Sequence, residues 1–405
     1  MGCNLGQVLL KNEIYRIQTA GRINLIGEHT DHQLGMVLPI TINAKISIYG
    51  SLREDNKIIV YSENYKEKFI LSLEDLSSFI PENHHWLNYV VGIVKSFNEL
   101  HNLSSGCVIA IKSDLPQGIG LSSSAALEIG LFTLLEQLYN YHIEPIDVVK
   151  QCWSVENSFV GVSCGIMDQF IVRFGEFNSV CKLNCSDLTY ETTSLPNNAS
   201  LLILDTLIRH TLIDSPYNTR ITECSVALKE IQDLGYKITS LSELKEDEFE
   251  KIQSKLSKPL SLRVKHVLSE NNRVEEFFSI LESTKDHNDS SVLPKLGSLL
   301  YGSHKSLKEN FDASWNRADQ IVEYAKQLEP LGVYGARMMG GGFGGSILLL
   351  VNQTNQDEII KNLQSWFFSI FKEKTNIFQF TSAKGTEYNS ISKDDLPDSI
   401  KYLFH

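Results

Sequence analysis

The sequence predicts an α+β protein of two intimately packed lobes that meet near residues 190–200. Three observations carry this. Up to about residue 206, short runs of period two are interleaved with longer runs of helical period. From 217 to 329 the pattern is helical throughout. The stretch 333–382 then returns to strand, helix and strand. Such segregation points to α+β architecture. The chain is accordingly divided into an N-terminal domain at 1–195 and a C-terminal domain at 196–405.

Each element has its own signal. Ile23–Ile26 is a short apolar strand, and Val37–Tyr49 alternates like a half-buried one, within a strand at 37–51. Strands follow at 56–62, 67–72 and 106–112, with helices at 86–101, 122–140 and 146–160. The helix at 122 opens on three serines, a residue type suited to helix starts. Further strands are expected at 170–174, 179–185 and 200–206. Helices at 217–234, 243–255, 262–282, 291–310 and 315–329 precede strands Val333–Met338 and Ser346–Val351, a helix at 356–371 and a strand at Ile377–Ser382. The polar run Glu282–Ser291 reads as a surface loop. There is no internal repeat and no low-complexity segment.

Composition excludes several classes. With 42% hydrophobic and 21% charged residues the chain is ordinary globular protein. A formal charge of −12 argues against nucleic-acid partners, which call for a basic patch. No apolar run reaches ~18 residues and the N-terminus lacks a signal-type apolar region, so neither membrane insertion nor secretion is expected. The seven cysteines form no Cys-x-x-Cys, and their number is odd. Reduced thiols in a cytoplasmic protein fit this best. Cys181 and Cys185 lie where a strand enters a turn, which is not a zinc arrangement. The expected partners are small molecules, and the expected state is a monomer or weak oligomer.

Four segments carry chemistry. Gly21-Arg-Ile-Asn-Leu-Ile-Gly-Glu-His-Thr-Asp-His32 packs a cation, two carboxylates and imidazoles beside an apolar strand. A core strand does not need them. A site for a polyhydroxylated molecule does, because each hydroxyl needs partners once water leaves. Leu115-Pro-Gln-Gly-Ile-Gly-Leu-Ser-Ser-Ser-Ala-Ala126 links a strand to an apolar helix. Glycines before a helix start let backbone N–H groups approach an anion, which makes this a phosphate cradle. It lacks the Gly-Lys-Ser/Thr of a P-loop. Gly340-Gly-Gly-Phe-Gly-Gly345 has more glycine than a hairpin needs, a sign of close backbone approach. Finally, Asp168 interrupts the apolar run Ile-Met-Asp-Gln-Phe-Ile-Val. A carboxylate there is costly unless paired or functional.

Together these segments resemble the GHMP small-molecule kinases and, within them, the galactokinase family. Gly21–Asp31 is similar to the galactokinase signature nearly residue for residue. Pro116–Ala126 resembles the family's phosphate-binding motif, Cys164–Phe170 its catalytic segment and Gly335–Gly345 its third motif. Arg209-His210-Thr-Leu, Tyr217-Asn-Thr-Arg220 and Cys224 add to the likeness. Two positions depart: His32-Gln33 stands where members commonly carry Tyr-Asn, and Met339 where Thr is usual.

The resemblance implies a first lobe like domain 2 of a ribosomal small-subunit protein and a ferredoxin-like second lobe with extra helices. It implies ATP, Mg²⁺ and phosphoryl transfer to the anomeric hydroxyl of galactose. Asp168 would accept or orient the C1 hydroxyl proton. Arg22 would stand beside it as a permanent cation, stabilising charge on the moving phosphoryl. Glu28, His29, Asp31, Gly165 and Tyr217 match sugar-binding positions. Pro116, Gly118, Gly120, Leu121, Ser122, Ser123, Ser124 and Ala125 match the phosphate loop, with Gly341 and Gly342 also on the nucleotide. Trp86 and Tyr89 match aromatics near the adenine. Ser124 and Glu156 match the Mg²⁺ ligands. Kinases for N-acetylgalactosamine or galacturonate are the nearest alternatives, and a non-catalytic sugar sensor a remoter one. Glu28, at the position facing the 6-hydroxyl, would repel a uronate.

Overall fold

A computed structural model describes residues 13–82, 85–209, 216–284 and 290–404. In the first part, β1 (Ile14–Asn24), β2 (Met36–Val37), β3 (Pro39–Leu52), β4 (Lys57–Ser62) and β5 (Glu67–Ser72) precede α1 (Leu87–His101). Then come β6 (Cys107–Ser113), α2 (Ser123–Tyr139), α3 (Pro145–Val155), α4 (Met167–Phe174), β7 (Val180–Asn184) and β8 (Tyr190–Thr193). The second part runs β9 (Ala199–Asp205), α5 (Tyr217–Asp233), α6 (Glu246–Ile252), α7 (Lys258–Thr284), α8 (Leu293–Glu309) and α9 (Asn316–Gln327). It ends with β10 (Val333–Met339), β11 (Ser346–Asn352), α10 (Gln356–Phe371), β12 (Ile377–Phe380) and β13 (Thr386–Ile391).

The first sheet has the order β13-β1-β3-β6-β4-β5, with β7 joining β3 and carrying β2 and β8. Helices α1 to α4 cover one face, where Ile17, Ile48, Ile109, Phe97, Phe132 and Phe170 are buried together. The second sheet has the order β10-β11-β9-β12, and all its pairs are antiparallel. Both its faces are covered. Leu201, Ile203, Leu348 and Leu350 join the first core. Their neighbours Leu202, Leu204, Ile347 and Leu349 join a second core with α5, α7, α9 and α10. This explains the unbroken apolar runs in β9 and β11. The shared core also welds the lobes together.

Two expectations need correction. The strand expected at 170–174 is part of α4. Phe170 and Phe174 stack at 4.6 Å across one helical turn. The first strand extends back to Ile14 and ends at Asn24, before Leu25 and Ile26. Finally, the segment 196–405 does not keep to the second sheet. Strand β13 pairs with β1 from Ile14↔Ile391 to Thr19↔Thr386. Beyond it, Leu396, Ile400, Leu403 and Phe404 bury the outer face of the first sheet against Tyr49, Tyr61 and Val108. The middle of the expected loop Glu282–Ser291 lies outside the described residues, as do Cys3 and His210-Thr-Leu. No helix among the described residues is long and apolar enough to cross a membrane.

Candidate active site

The sugar-signature strand, the phosphate loop and α4 converge at the lobe junction. Arg22 projects from β1 toward Asp168, the second residue of α4. Its Nε and Nη2 donate to the two carboxylate oxygens at 2.8 and 2.7 Å. This is a bidentate, charge-assisted pair. Its Nη1 donates to the Gly120 carbonyl at 2.5 Å, tying the strand to the phosphate loop. Ser122, expected to serve the helix start, does otherwise. Its backbone is left-handed, with φ 59°, and its hydroxyl donates to Asp168 Oδ2 at 2.5 Å instead of capping α2.

One pocket opens above this pair. It is lined by Arg22, Glu28, His29, Asp31, Cys164, Gly165, Met167, Asp168, Tyr217, Gly340 and Gly341. All five expected sugar residues are among them. Gly165 is there for a steric reason: a Cβ would lie 2.1 Å from Asp31 Oδ2. His29 holds the uncommon φ of 62° and packs 4.5 Å from Phe311. Such strain in a non-glycine residue persists where the surroundings over-determine it. Burial, then the neighbouring His32 and His266, keep the His29 imidazole neutral. His32 does not line this pocket. It sits behind it in an aromatic layer, edge-on to His29 at 5.8 Å and to Tyr217 at 6.3 Å. Met339 is buried at the end of β10.

Glu28 corrects the charge argument made against a uronate. Its carboxylate is not alone: Arg337 Nη1 lies 2.6 Å from Oε2, and Arg337 is fully buried. Repulsion of an acidic sugar therefore does not follow from Glu28 by itself.

A neighbouring cleft is lined by Tyr65, Trp86, Tyr89, Ser113, Gln117, Ser123, Ser124 and apolar residues including Leu115 and Leu127. Trp86 stacks on Tyr65 at 5.9 Å, and its indole N–H donates to Glu67 at 2.6 Å. A flat aromatic wall with a nearby helix start suits a nucleotide. Tyr65 was not singled out from the sequence, because its β-turn position carried no motif. Gly118 and Gly120 have φ 70° and 78° and present exposed backbone. Pro116 lines neither cavity. The Leu121 and Ala125 side chains are buried in the core, so they shape the loop only through their backbone. Gly342, at φ 83°, also packs closely against protein. A Cβ there would lie 2.5 Å from the Ala313 carbonyl. Gly341 lines the pocket above the Arg22–Asp168 pair. Arg209, bidentate to Asp205 at 2.7 and 2.6 Å, lies over Gly118 and brings a cation to the phosphate loop.

Glu156 opens a wide π turn, Glu156–Val160, at the end of α3. Such turns recur at functional sites. Gln169 donates to Glu156 Oε2 at 2.5 Å and to Glu128 Oε2 at 3.1 Å. Burial raises the Glu156 carboxyl to about 7, a hydrogen bond from Ser124 opposes this, and Asp168 adds to it. Burial and Glu156 push Glu128 up as well. Hard oxygen donors, among them a carboxyl whose proton a cation would displace, fit a divalent cation. Among the described residues no group of three or more His, Cys, Asp or Glu could hold a metal by itself. A site of Ser124 and Glu156 thus leaves most of the coordination shell to phosphate and water, as Mg²⁺ prefers.

These protons have a consequence for stability. Asp31 is also raised to about 7, by burial and then by Asp168 and Glu28. An acid whose folded pKa is raised stabilises the fold below its unfolded value, near 4, and loses that contribution as pH rises through 7. Buried His32 and His266, lowered to about 4, act only below about pH 6.5, where stability falls with falling pH. The histidines offset part of the acid term in the wild type, so the readout is the difference from Glu156→Gln: between about pH 6.5 and 8 the unliganded wild type should lose about 0.8 kcal/mol more than the variant. Urea melts of both proteins at both pH values check this. An identical pH dependence in the two proteins overturns the buried proton on Glu156.

Comparison with known proteins agrees with this geometry. Residues 11–52 match the galactokinase galactose-binding signature, 88–176 the GHMP kinases N terminal domain and 296–368 the GHMP kinases C terminal. A galactokinase of Clostridium beijerinckii is 36% identical over 369 residues, covering 90% of this chain and 92% of that protein. The chain belongs to the galactokinase family. A second galactokinase, of Clostridium acetobutylicum, is 38% identical over 352 residues, 85% of this chain and 87% of that protein. The Lactococcus lactis galactokinase complexed with galactose superposes with a TM-score of 0.86 at 31% identity, covering 92% of this chain and 95% of that one. Methanococcus jannaschii mevalonate kinase shares the fold alone, with a TM-score of 0.64 at 19% identity over 91% of this chain and 98% of that one. Membership of the galactokinase family makes the protein a phosphotransferase acting on a sugar hydroxyl.

Proposed function

We propose that the protein transfers the γ-phosphoryl of ATP to the anomeric hydroxyl of D-galactose, giving galactose 1-phosphate and ADP. The observation that carries this is the Arg22–Asp168 pair, which borders the sugar pocket while Arg22 reaches the phosphate loop. Asp168 accepts or orients the C1 hydroxyl proton. Ser122 and Arg22 together restrict its rotation. Arg22 faces the developing charge of the transferred group. Phosphoryl transfer passes through a loose transition state, so positioning and charge neutralisation carry most of the rate. Glu28, His29, Asp31, Gly165 and Tyr217 recognise the sugar. Trp86 and Tyr89 take the adenine, and backbone from Gly118 to Ser124 takes the phosphates. Ser124 and Glu156 hold Mg²⁺, which supplies charge neutralisation on the phosphate oxygens when bound. The unpaired thiols Cys107, Cys152, Cys181, Cys185 and Cys224 suit a reducing compartment, supporting a cytoplasmic setting.

An ADP-release screen tests the reading, using galactose, galacturonate, N-acetylgalactosamine, glucose and arabinose with Mg²⁺ and ATP. Galactose should give the highest kcat/KM. Absence of ADP release with every sugar overturns the kinase, and preference for galacturonate overturns the substrate.

A further inference from the structure

We propose that Arg337 is a positioning residue for the sugar: it sets the Glu28 carboxylate from the opposite lobe. This rests on the galactose-kinase reading above. Arg337 lies on β10, in the strand leading into the third glycine motif, and its side chain is fully buried. A charged side chain in such a place needs every donor engaged. Its Nε donates to the Leu25 carbonyl at 2.7 Å, its Nη1 to the Met338 carbonyl at 2.7 Å and its Nη2 to the Asn24 carbonyl. Two of these bonds tie the guanidinium to Asn24 and Leu25 at the exit of β1, and the third to its own strand. The remaining contact is the 2.6 Å ion pair with Glu28.

The rest of the Glu28 residue is held from α7. Its amide and that of Gly27 donate to Glu270 Oε1 at 3.4 and 3.1 Å. Its carbonyl lies 3.0 Å from His266 Nε2, which must carry the hydrogen because a carbonyl only accepts. The other ring nitrogen, Nδ1, then accepts from Ser306 Oγ at 2.9 Å. His266 and Glu270 are both fully buried. Glu28 thus has its N–H and C=O hydrogen-bonded to the second lobe and its carboxylate in charge contact with Arg337, with no hydrogen bond to Oε2 among the described residues, while its side chain lines the sugar pocket. Backbone anchoring accounts for three of Arg337's contacts. The fourth supplies a countercharge to the buried guanidinium and also fixes which way an acceptor faces the sugar. An oriented carboxylate recognises a hydroxyl better than a freely rotating one, because the ordering is done before binding.

The test is a double-mutant cycle on the full chain, with variants Arg337→Lys, Arg337→Met, Glu28→Gln and Glu28→Gln/Arg337→Met. Galactose binding is followed by calorimetry without nucleotide, and KM for galactose and ATP separately by steady-state kinetics. Arg337→Lys keeps the charge and loses the fork. Its galactose Kd should rise about tenfold and that of Arg337→Met about 100-fold, with KM for ATP changed less than about threefold. The double variant should be no worse than about threefold below the poorer single, because both lesions act on one contact. Additive effects, or equal losses for galactose and ATP, overturn the proposal. Should Arg337→Met fail to give a cooperative thermal transition, Arg337→Lys and Glu28→Gln decide. An Arg337→Lys protein with wild-type galactose Kd overturns it. Wild-type protein that does not bind galactose overturns the underlying function instead, so the two failures are distinct.

Discussion

Asp168→Asn should lower kcat by about 10³-fold or more while galactose still binds within about tenfold of the wild-type affinity. The amide is nearly the same size as the carboxylate, so α4 and the floor of the pocket keep their shape. Its oxygen can still accept one of the two bonds from Arg22. What disappears is the group able to accept or orient a proton next to the transferred phosphoryl. Ser122 sharpens the effect: its hydroxyl now donates to Asp168 Oδ2, and it would have to turn to meet an amide hydrogen. Single-turnover ADP release and calorimetric galactose binding measure the two halves. A variant with kcat within about tenfold of wild type removes Asp168 from the chemistry.

Gly165→Ala should raise the galactose Kd about 100-fold and leave nucleotide affinity unchanged. The new methyl would sit 2.1 Å from Asp31 Oδ2, 2.3 Å from Cγ and 2.6 Å from Cβ. Neither side can give way cheaply. The preceding residue Cys164 is tied by its amide to Asn157 Oδ1 at 3.1 Å, and α4 begins two residues later. Asp31 accepts from the His32 amide at 3.0 Å, which fixes its own rotamer. The carboxylate must therefore leave the pocket wall, taking a sugar contact with it. Equilibrium titrations with galactose and with ATP separate the effects. An unchanged galactose Kd means that Asp31 does not touch the sugar.

Most of the strands and helices were legible because their periods were clean, and the chemistry was legible because short motifs carried it. The misreadings have local causes. Phe170–Phe174, apolar but for Arg173, is too short for periodicity to separate strand from helix, and its helix continues from Asp168 at the active site. Much of β1 was hidden because Arg16 and Gln18 break its apolar face although it is an interior strand, between β13 and β3. β13 was hidden for the opposite reason. Its Glu387, Tyr388, Asn389 and Ser390 are exposed, as befits an edge strand that must discourage further pairing. At the site, residue type revealed Asp168 and Glu28 but not their keepers. Ser122 looked like a helix cap, and only the left-handed turn shows its hydroxyl aimed at Asp168. Arg337, Glu270 and His266 act across the lobes, a relation that spacing along the chain cannot express. Arg337 did leave one trace, a permanent charge inside an apolar strand.

The pairing of β13 with β1 also bears on how the protein is made. A ribosome extends the chain at about 5–20 residues per second. The edge of β1 therefore emerges on the order of tens of seconds before the strand that covers it. Through that interval the first sheet has an uncapped edge, open to any extended segment nearby. Its outer face, too, waits for Leu396, Ile400, Leu403 and Phe404. The lobe synthesised first is thus the lobe completed last. Premature termination anywhere before Thr386 leaves an aggregation-prone fragment even when every catalytic residue is present.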